Sequence, residues 1–349
     1  MTESTCRARG QIVADFLAGC WRDRQNPLAH SPVDLELITQ LLYDSGGAGL
    51  AWWRIRESDL STSVQGELLH QSYRLQALQS AINEQRVTTA FRLLRDAGIE
   101  PILIKGWSVA RLYPHPTLRA YGDIDLWLKP DQYSAALQIL NDHETKTWWI
   151  DLHQSLSELQ DRTIDDLFAR SQLVGLRESC VRVLGAEDSL ALMAVHFFKH
   201  SGWRPLWLCD IALMVESLPA NFDWSVCLGS DRWRAKWIIS AIALSQRLLG
   251  ANIGAVPLPM RVERLPEWLV EAVLKQWGNL LQHDHLPVQP RPVFAQSLRE
   301  PKHVLKEIRA RWPNPIVATF DLRGQVNDLP RFPYQLGAFL KQAFQYVFA

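Results

Sequence analysis

The period of the apolar residues changes abruptly at Gly98, and that change narrows the folds open to this chain. Before it, Val87, Ala90, Phe91 and Leu94 recur at i, i+3, i+4 and i+7, the stripe of a helix running from about Val64 to Ala97. After it, Ile99 to Ile104 (IEPILI) is a short, branched, apolar run, the pattern of a buried strand, and it stops at Lys105-Gly106. A short helix is expected over Trp107 to Tyr113, and Pro114-His115-Pro116 then forces extended or turned backbone. Asp123 to Leu128 (DIDLWL) alternates charge and bulk as a strand does. Asp131 to Asn141 reads as a helix with Ala135, Ile139 and Leu140 inward, and Lys146 to His153 (KTWWIDLH) as a third strand. The order predicts an α+β fold: a minimal α/β core, a small mixed sheet with flanking helices, embedded in predominantly helical regions.

Four segments follow from this reading: a helical N-terminal region over 1–98, the α/β core over 99–155, a helical region over 156–250 that closes a cleft, and a proline-rich accessory helical region over 251–349. In the first, Ser31-Pro32-Val33-Asp34 combines a capping side chain, a proline at the first helical position and a first-turn acid, and Gly46-Gly47 ends that helix. Ala186 to Ser201 and Trp207 to Ser217 read as amphipathic helices. Eleven of the 19 prolines follow Gly250, and Pro287 to Pro292 is incompatible with regular helix.

The chemistry concentrates in the core. Asp123 and Asp125 stand two apart on a strand, so both carboxylates share a face and repel unless a cation lies between them. Hard divalent ions with oxygen ligands suit that pair, and phosphoryl or nucleotidyl transfer is the usual reaction. Lys105-Gly106 ends a strand and opens a helix, where free N–H groups and a glycine permit close approach of a phosphate, and Ser108 adds a hydroxyl. Asp151 sits among Trp148, Trp149 and Ile150 and is a third acid where its strand lies beside the first pair.

With these residues in view, ILIKGWS, the downstream Tyr and Arg, YGDIDLWL and WWIDLH resemble the uncharacterised nucleotidyltransferase family of the DNA polymerase β-like superfamily. The resemblance covers about Arg86 to Asp210, including a helical segment with paired histidines, a tryptophan and a terminal Asp. It implies that Asp123 and Asp125 bind two catalytic Mg²⁺ ions, with Mn²⁺ as a substitute, and that Asp151 completes the metal site and helps deprotonate the acceptor. It further implies that Gly106 and Ser108 hold the β,γ-phosphates of an NTP, with Lys105 and Arg119 as countercharges and Tyr121 near the base or sugar. The chain departs from the superfamily's usual turn: Trp107 follows Gly106, and sixteen residues separate that glycine from Asp123.

Other readings compete at several positions. Arg119 also reads as the partner of one of the aspartates, and Tyr121 as a loop anchor. His196 and His200 have the spacing of a zinc pair but lack the glutamate of H-E-x-x-H, so hydrogen bonds within the helical layer, to Asp210, or a place on the cleft wall suit them better. His153 shares the face of Asp151 and suits a positioning or cleft-wall role. His283 and His285 read as exposed loop residues. No G-x-S-x-G and no P-loop is present, and a glycosidase needs its acids on separate elements.

Balanced charge, with 37 Lys plus Arg against 37 Asp plus Glu, argues against an extended nucleic acid and favours a small molecule or protein side chain as acceptor. Five dispersed cysteines and the lack of a long apolar stretch suggest a cytoplasmic protein outside the membrane. The expectation is a Mg²⁺-dependent transferase moving NMP from NTP to an acceptor hydroxyl or phosphate. The alternative is an inactive nucleotide- or partner-binding module of the same fold.

Overall fold

The computed structural model describes residues 3–23, 31–142, 144–261, 264–279 and 312–348. Five short strands form one sheet: β1 (Ile102–Leu103), β2 (Ile124–Trp127), β3 (Ile150–His153), β4 (Gln172–Leu176) and β5 (Ser179–Val183), in the order β3-β2-β1-β5-β4. β1 runs antiparallel to β2 and parallel to β5, while β2 and β3 are parallel. Helices dominate the rest, so the fold is α+β, a small mixed sheet within a helical body. Among the described residues no helix is long and apolar enough to cross a membrane.

The alternation in DIDLWL decides which way the sheet faces. Ile124, Leu126 and Leu128 join Ile150 and Leu152 in a core against the C-terminal half of α4 (Val64–Asp96), where Val87, Ala90, Phe91 and Leu94 present the helical stripe. Ala136 and Leu140 of α6 (Tyr133–Asn141) close that core. Ala136 takes the inward position expected of Ala135, which is exposed. The odd positions of β2 look the other way, and Trp127, with Ile102 and Ile104, belongs to the larger core built by α8 (Ala186–Lys199), α9 (Pro205–Glu216) and α11 (Arg232–Leu249). The acids therefore stand at the boundary between the sheet and the helical layer.

Local signals acted as their chemistry requires. Ser31 and Asp34 form a reciprocal capping box at α2 (Pro32–Asp44). Gly98, with φ of +76°, ends α4, and the amides of Gly98 and Ile99 close on the carbonyls of Arg95 and Leu94.

Two features differ from the sequence expectation. The third strand begins at Ile150, because Glu144–Thr147 coils into a 3-10 turn and Trp148 stacks under Arg86, 5.8 Å from guanidinium carbon to ring centroid. The sheet also runs past residue 155: a hairpin of β4 and β5 completes it, with Leu103 of β1 opposite Val183. Its connection, Arg177-Glu178, lacks the glycine or asparagine that marks most two-residue turns, although Arg177 adopts φ of +54°. After α11 come α12 (Leu258–Arg261), α13 (Glu267–Trp277), which packs on α1 (Glu3–Leu17), and a final helical pair, α14 (Pro315–Asp321) and α15 (Phe332–Phe348). The Pro287 to Pro292 stretch, His283 and His285 lie outside the described residues.

Candidate active site

The parallel register of β2 and β3 sets Asp125 directly opposite Asp151, and Asp123 precedes Asp125 on the same face. One carboxylate oxygen from each of the three lies within 4.8 Å of the others. Unit charges at that spacing repel by about 3–4 kcal/mol per pair at an effective dielectric of ~20, and by less where water screens them. The donor set is all oxygen, the preference of a hard divalent cation. Asp123 and Asp151 are exposed, whereas Asp125 is 2% exposed.

Asp125 is the anchor of the group. Lys105 Nζ stands 2.8 Å and His153 Nε2 2.9 Å from the same oxygen, Oδ1. Burial alone raises the pKa of this carboxyl, but the His153 hydrogen bond and the Lys105 charge outweigh it and hold the group below its ordinary value. Asp125 is thus ionised in the fold, with Oδ1 committed and Oδ2 turned to no protein donor among the described residues.

The Lys105-Gly106 turn lies beside this pair. Gly106 has φ of +63° and ψ of −118°, a conformation closed to residues with a Cβ, and a Cβ there would meet the Tyr121 ring at 3.3 Å and the Asp123 carbonyl at 3.4 Å. The glycine therefore lets the turn pack directly against the strand that carries the acids. Tyr121 is buried beneath it, its ring in the sheet core and its hydroxyl 3.5 Å from the Ser80 carbonyl, which is the loop-anchor reading. Ser108 is buried too and donates its hydroxyl to the Lys105 carbonyl at 3.1 Å, bracing the turn.

Arg119 is occupied elsewhere. Its Nε and Nη2 donate to both oxygens of Asp210 at 2.9–3.0 Å, Tyr113 donates to Asp210 Oδ1 at 2.8 Å, and Arg119 Nη1 reaches the Gly106 carbonyl at 3.3 Å. With side-chain exposures of 5% and 0%, Arg119 and Asp210 form a buried strut from α9 to the turn. Asp210 is therefore sealed beneath the cleft with Arg119 and Tyr113 as its partners, so Arg119 pairs with Asp210 rather than with one of the three aspartates, and neither His196 nor His200 bonds Asp210 among the described residues.

His196 and His200 face Glu158. His196 Nδ1 lies 3.5 Å from Glu158 Oε1, and Lys199 Nζ bonds the same oxygen at 3.0 Å. The two imidazoles lie tilted with ring centres 4.4 Å apart, and both pack at steep angles against Trp207, at 4.6 and 5.5 Å. Burial lowers the pKa of both, His200 to about 3, with the Lys105 charge contributing to each. Among the described residues they gather no third ligand, so the zinc geometry is not assembled. Glu158 was invisible to sequence reasoning because the SLSEL stretch around it has no periodicity. Trp149, 76% exposed, lies over Gly122 beside Asp123, a placement that only the β2–β3 pairing reveals.

A D-x-D strand, a third acid on its parallel neighbour and a glycine turn on the other side together give an all-oxygen donor set of the kind that suits divalent cations. The chain belongs to the family described as uncharacterised nucleotidyltransferases, whose model matches residues 31–249. No curated protein and no solved structure matches the chain.

Proposed function

We propose that this protein is a Mg²⁺-dependent nucleotidyltransferase: an acceptor hydroxyl or phosphate oxygen attacks the α-phosphorus of an NTP, a new P–O bond forms, and pyrophosphate leaves. The observation that carries the reading is the convergence of Asp123, Asp125 and Asp151 in a chain of this family. All three offer oxygen, and among the described residues the two exposed acids have no ion-pair partner, so the site suits one or two magnesium ions, or manganese. When bound, the metal supplies Lewis-acid stabilisation of the phosphate oxygens and neutralises developing charge.

The remaining work falls to the protein. Lys105 and His153 hold Asp125 ionised and oriented through one oxygen. Gly106 keeps the turn flat against the acid strand, where backbone and Lys105 face the phosphates. Asp151, exposed on the edge strand, is the candidate acceptor of the proton from the attacking oxygen. The sheet order supports opposite approaches: NTP over the turn after β1, acceptor over β3, where Asp151 and Trp149 are open. Balanced net charge favours a small molecule or a protein side chain as acceptor over a long nucleic acid. Five dispersed cysteines support a reducing, cytoplasmic setting.

The test is a thermal-shift screen of the four NTPs with and without Mg²⁺, on wild type and on the Asp123→Ala/Asp125→Ala double variant. The expected result is stabilisation by at least one NTP that requires both metal and acids. Equal responses from the two proteins overturn the reading.

A further inference from the structure

Among the buried or half-buried arginines around the site, the usual partner is a carboxylate: Arg119 has Asp210, Arg162 and Arg170 share Asp188, and Arg234 has Asp161. Two arginines near the turn depart from this pattern: Arg111, whose Nε has no partner among the described residues, and Arg204. Among the described residues no acid stands within ion-pair distance of Arg204. Its Nε donates to the Ser45 carbonyl at 2.8 Å, its guanidinium lies 5.6 Å from the Trp207 ring centre, and neither Nη donates to any of the described residues. It also occupies the N-cap of α9, where the positive end of the helix dipole disfavours a second positive charge.

The surroundings bring that charge to the acids. Pro205 holds Arg204 in extended backbone, φ −96° and ψ 106°, which sends the side chain back across the loop after α2. There Gly46, at φ +74°, leaves the space: a Cβ on it would stand 2.4 Å from Arg204 Nη2 and 3.3 Å from Ala120 Cβ. Ala120 lies three residues before Asp123. Burial and the neighbouring Arg119 lower the pKa of Arg204 to about 10, and the charges of Asp210 and Asp123 offset this only in part. A cation kept partly desolvated without a counter-ion is costly in the free protein and is relieved by an incoming anion.

We propose that Arg204, rather than Arg119, is the guanidinium that receives the terminal phosphates of the NTP. The inference rests on the nucleotidyltransferase reading. It gives the countercharge role to a residue whose two Nη groups have no partner among the described residues, whereas all three guanidinium nitrogens of Arg119 already donate, to Asp210 and to the Gly106 carbonyl. A planar fork of N–H groups suits bidentate contact with phosphate oxygens.

The test measures affinity for Mg²⁺-NTP and for the matching NMP by calorimetry, on wild type, Arg204→Lys and Arg204→Met, with the melting temperature of each nucleotide-free protein. The expected result is a loss of NTP affinity of about 10- to 100-fold in Arg204→Met and an intermediate loss in Arg204→Lys. NMP affinity should change less than about twofold, and the free protein should melt within about 2 °C of wild type, because removal of an uncompensated charge offsets the lost hydrogen bond to Ser45. Unchanged NTP affinity in Arg204→Met, or equal losses for NTP and NMP, overturns the assignment and leaves the transferase reading standing. A marked fall in the melting temperature of the free variant makes Arg204 structural and likewise overturns it. If wild type binds no nucleotide, both this assignment and the transferase reading fall together.

Discussion

Asp210→Asn probes the strut beneath the site with almost no change of shape. In the wild type the carboxylate takes two hydrogen bonds through Arg119 Nε, one through Nη2 and one from Tyr113, all between 2.8 and 3.0 Å, at zero exposure. The amide leaves the Arg119 charge buried with no compensating anion, and breaking such a pair from one side costs about 3–5 kcal/mol. With an unfolding entropy of about 2.1 cal/mol/K per residue over the cooperative chain, that is a drop of about 4–7 °C in melting temperature. Arg119→Met/Asp210→Leu removes both charges and should recover most of the loss, because well-packed apolar groups replace a buried pair at small cost. Scanning calorimetry on the two single variants and the double variant reads this directly. If Asp210→Asn melts within about 1 °C of wild type, the strut carries no such energy and the argument that Arg119 is unavailable to phosphate fails.

Other consequences are equally open to measurement. Gly106→Ala should destabilise the fold by about 1–3 kcal/mol, since it imposes a Cβ on a glycine-only conformation, and should weaken nucleotide binding more than the stability loss explains; calorimetry and titration read the two effects. His196 and His200 have folded pKa values below their unfolded value of about 6.5, so the unfolded chain binds more protons below that pH. Stability should therefore be at its full value above pH ~6.5 and fall as pH drops below it, for His200 by up to about 1.4 kcal/mol per pH unit down to about pH 3, and His196→Gln/His200→Gln should flatten the slope of melting temperature against pH. Lys105→Met should raise the pKa of Asp125 toward or beyond the ordinary carboxyl value, because one of the two groups that offset its burial is lost, and carbon-detected NMR titration of Asp125 follows that shift.

What could be read from the sequence, and what could not, follows the range of the interactions involved. Where a residue's neighbours in sequence are its neighbours in space, the reading was sharp: the capping box at Ser31, the stop at Gly98 and the two-faced strand around Asp125 are all local chemistry. Register was less accessible, and the opposition of Asp125 to Asp151 entered only as a condition on strand order. Arg119 shows the limit most clearly. Its loop position fits a phosphate contact, yet its partner lies 91 residues away on α9, and no local pattern encodes that pairing. The β4–β5 hairpin went unread because Arg177-Glu178 gives no turn signal, and Arg204 because a missing counter-ion is visible only once the surrounding acids have been placed.

The central claim is that Asp123, Asp125 and Asp151 hold a divalent cation on which nucleotide binding depends. Electron paramagnetic resonance of Mn²⁺ titrated into the protein, with and without the stabilising NTP, tests it most directly, since bound and free manganese give distinct signals. The account predicts bound Mn²⁺ in the wild type, tighter in the presence of NTP, and a loss of most of that binding in Asp123→Asn/Asp151→Asn, which keeps the shape of the site while removing its two exposed charges. Manganese that stays free in the wild type with NTP present, or binds the variant equally well, would contradict it.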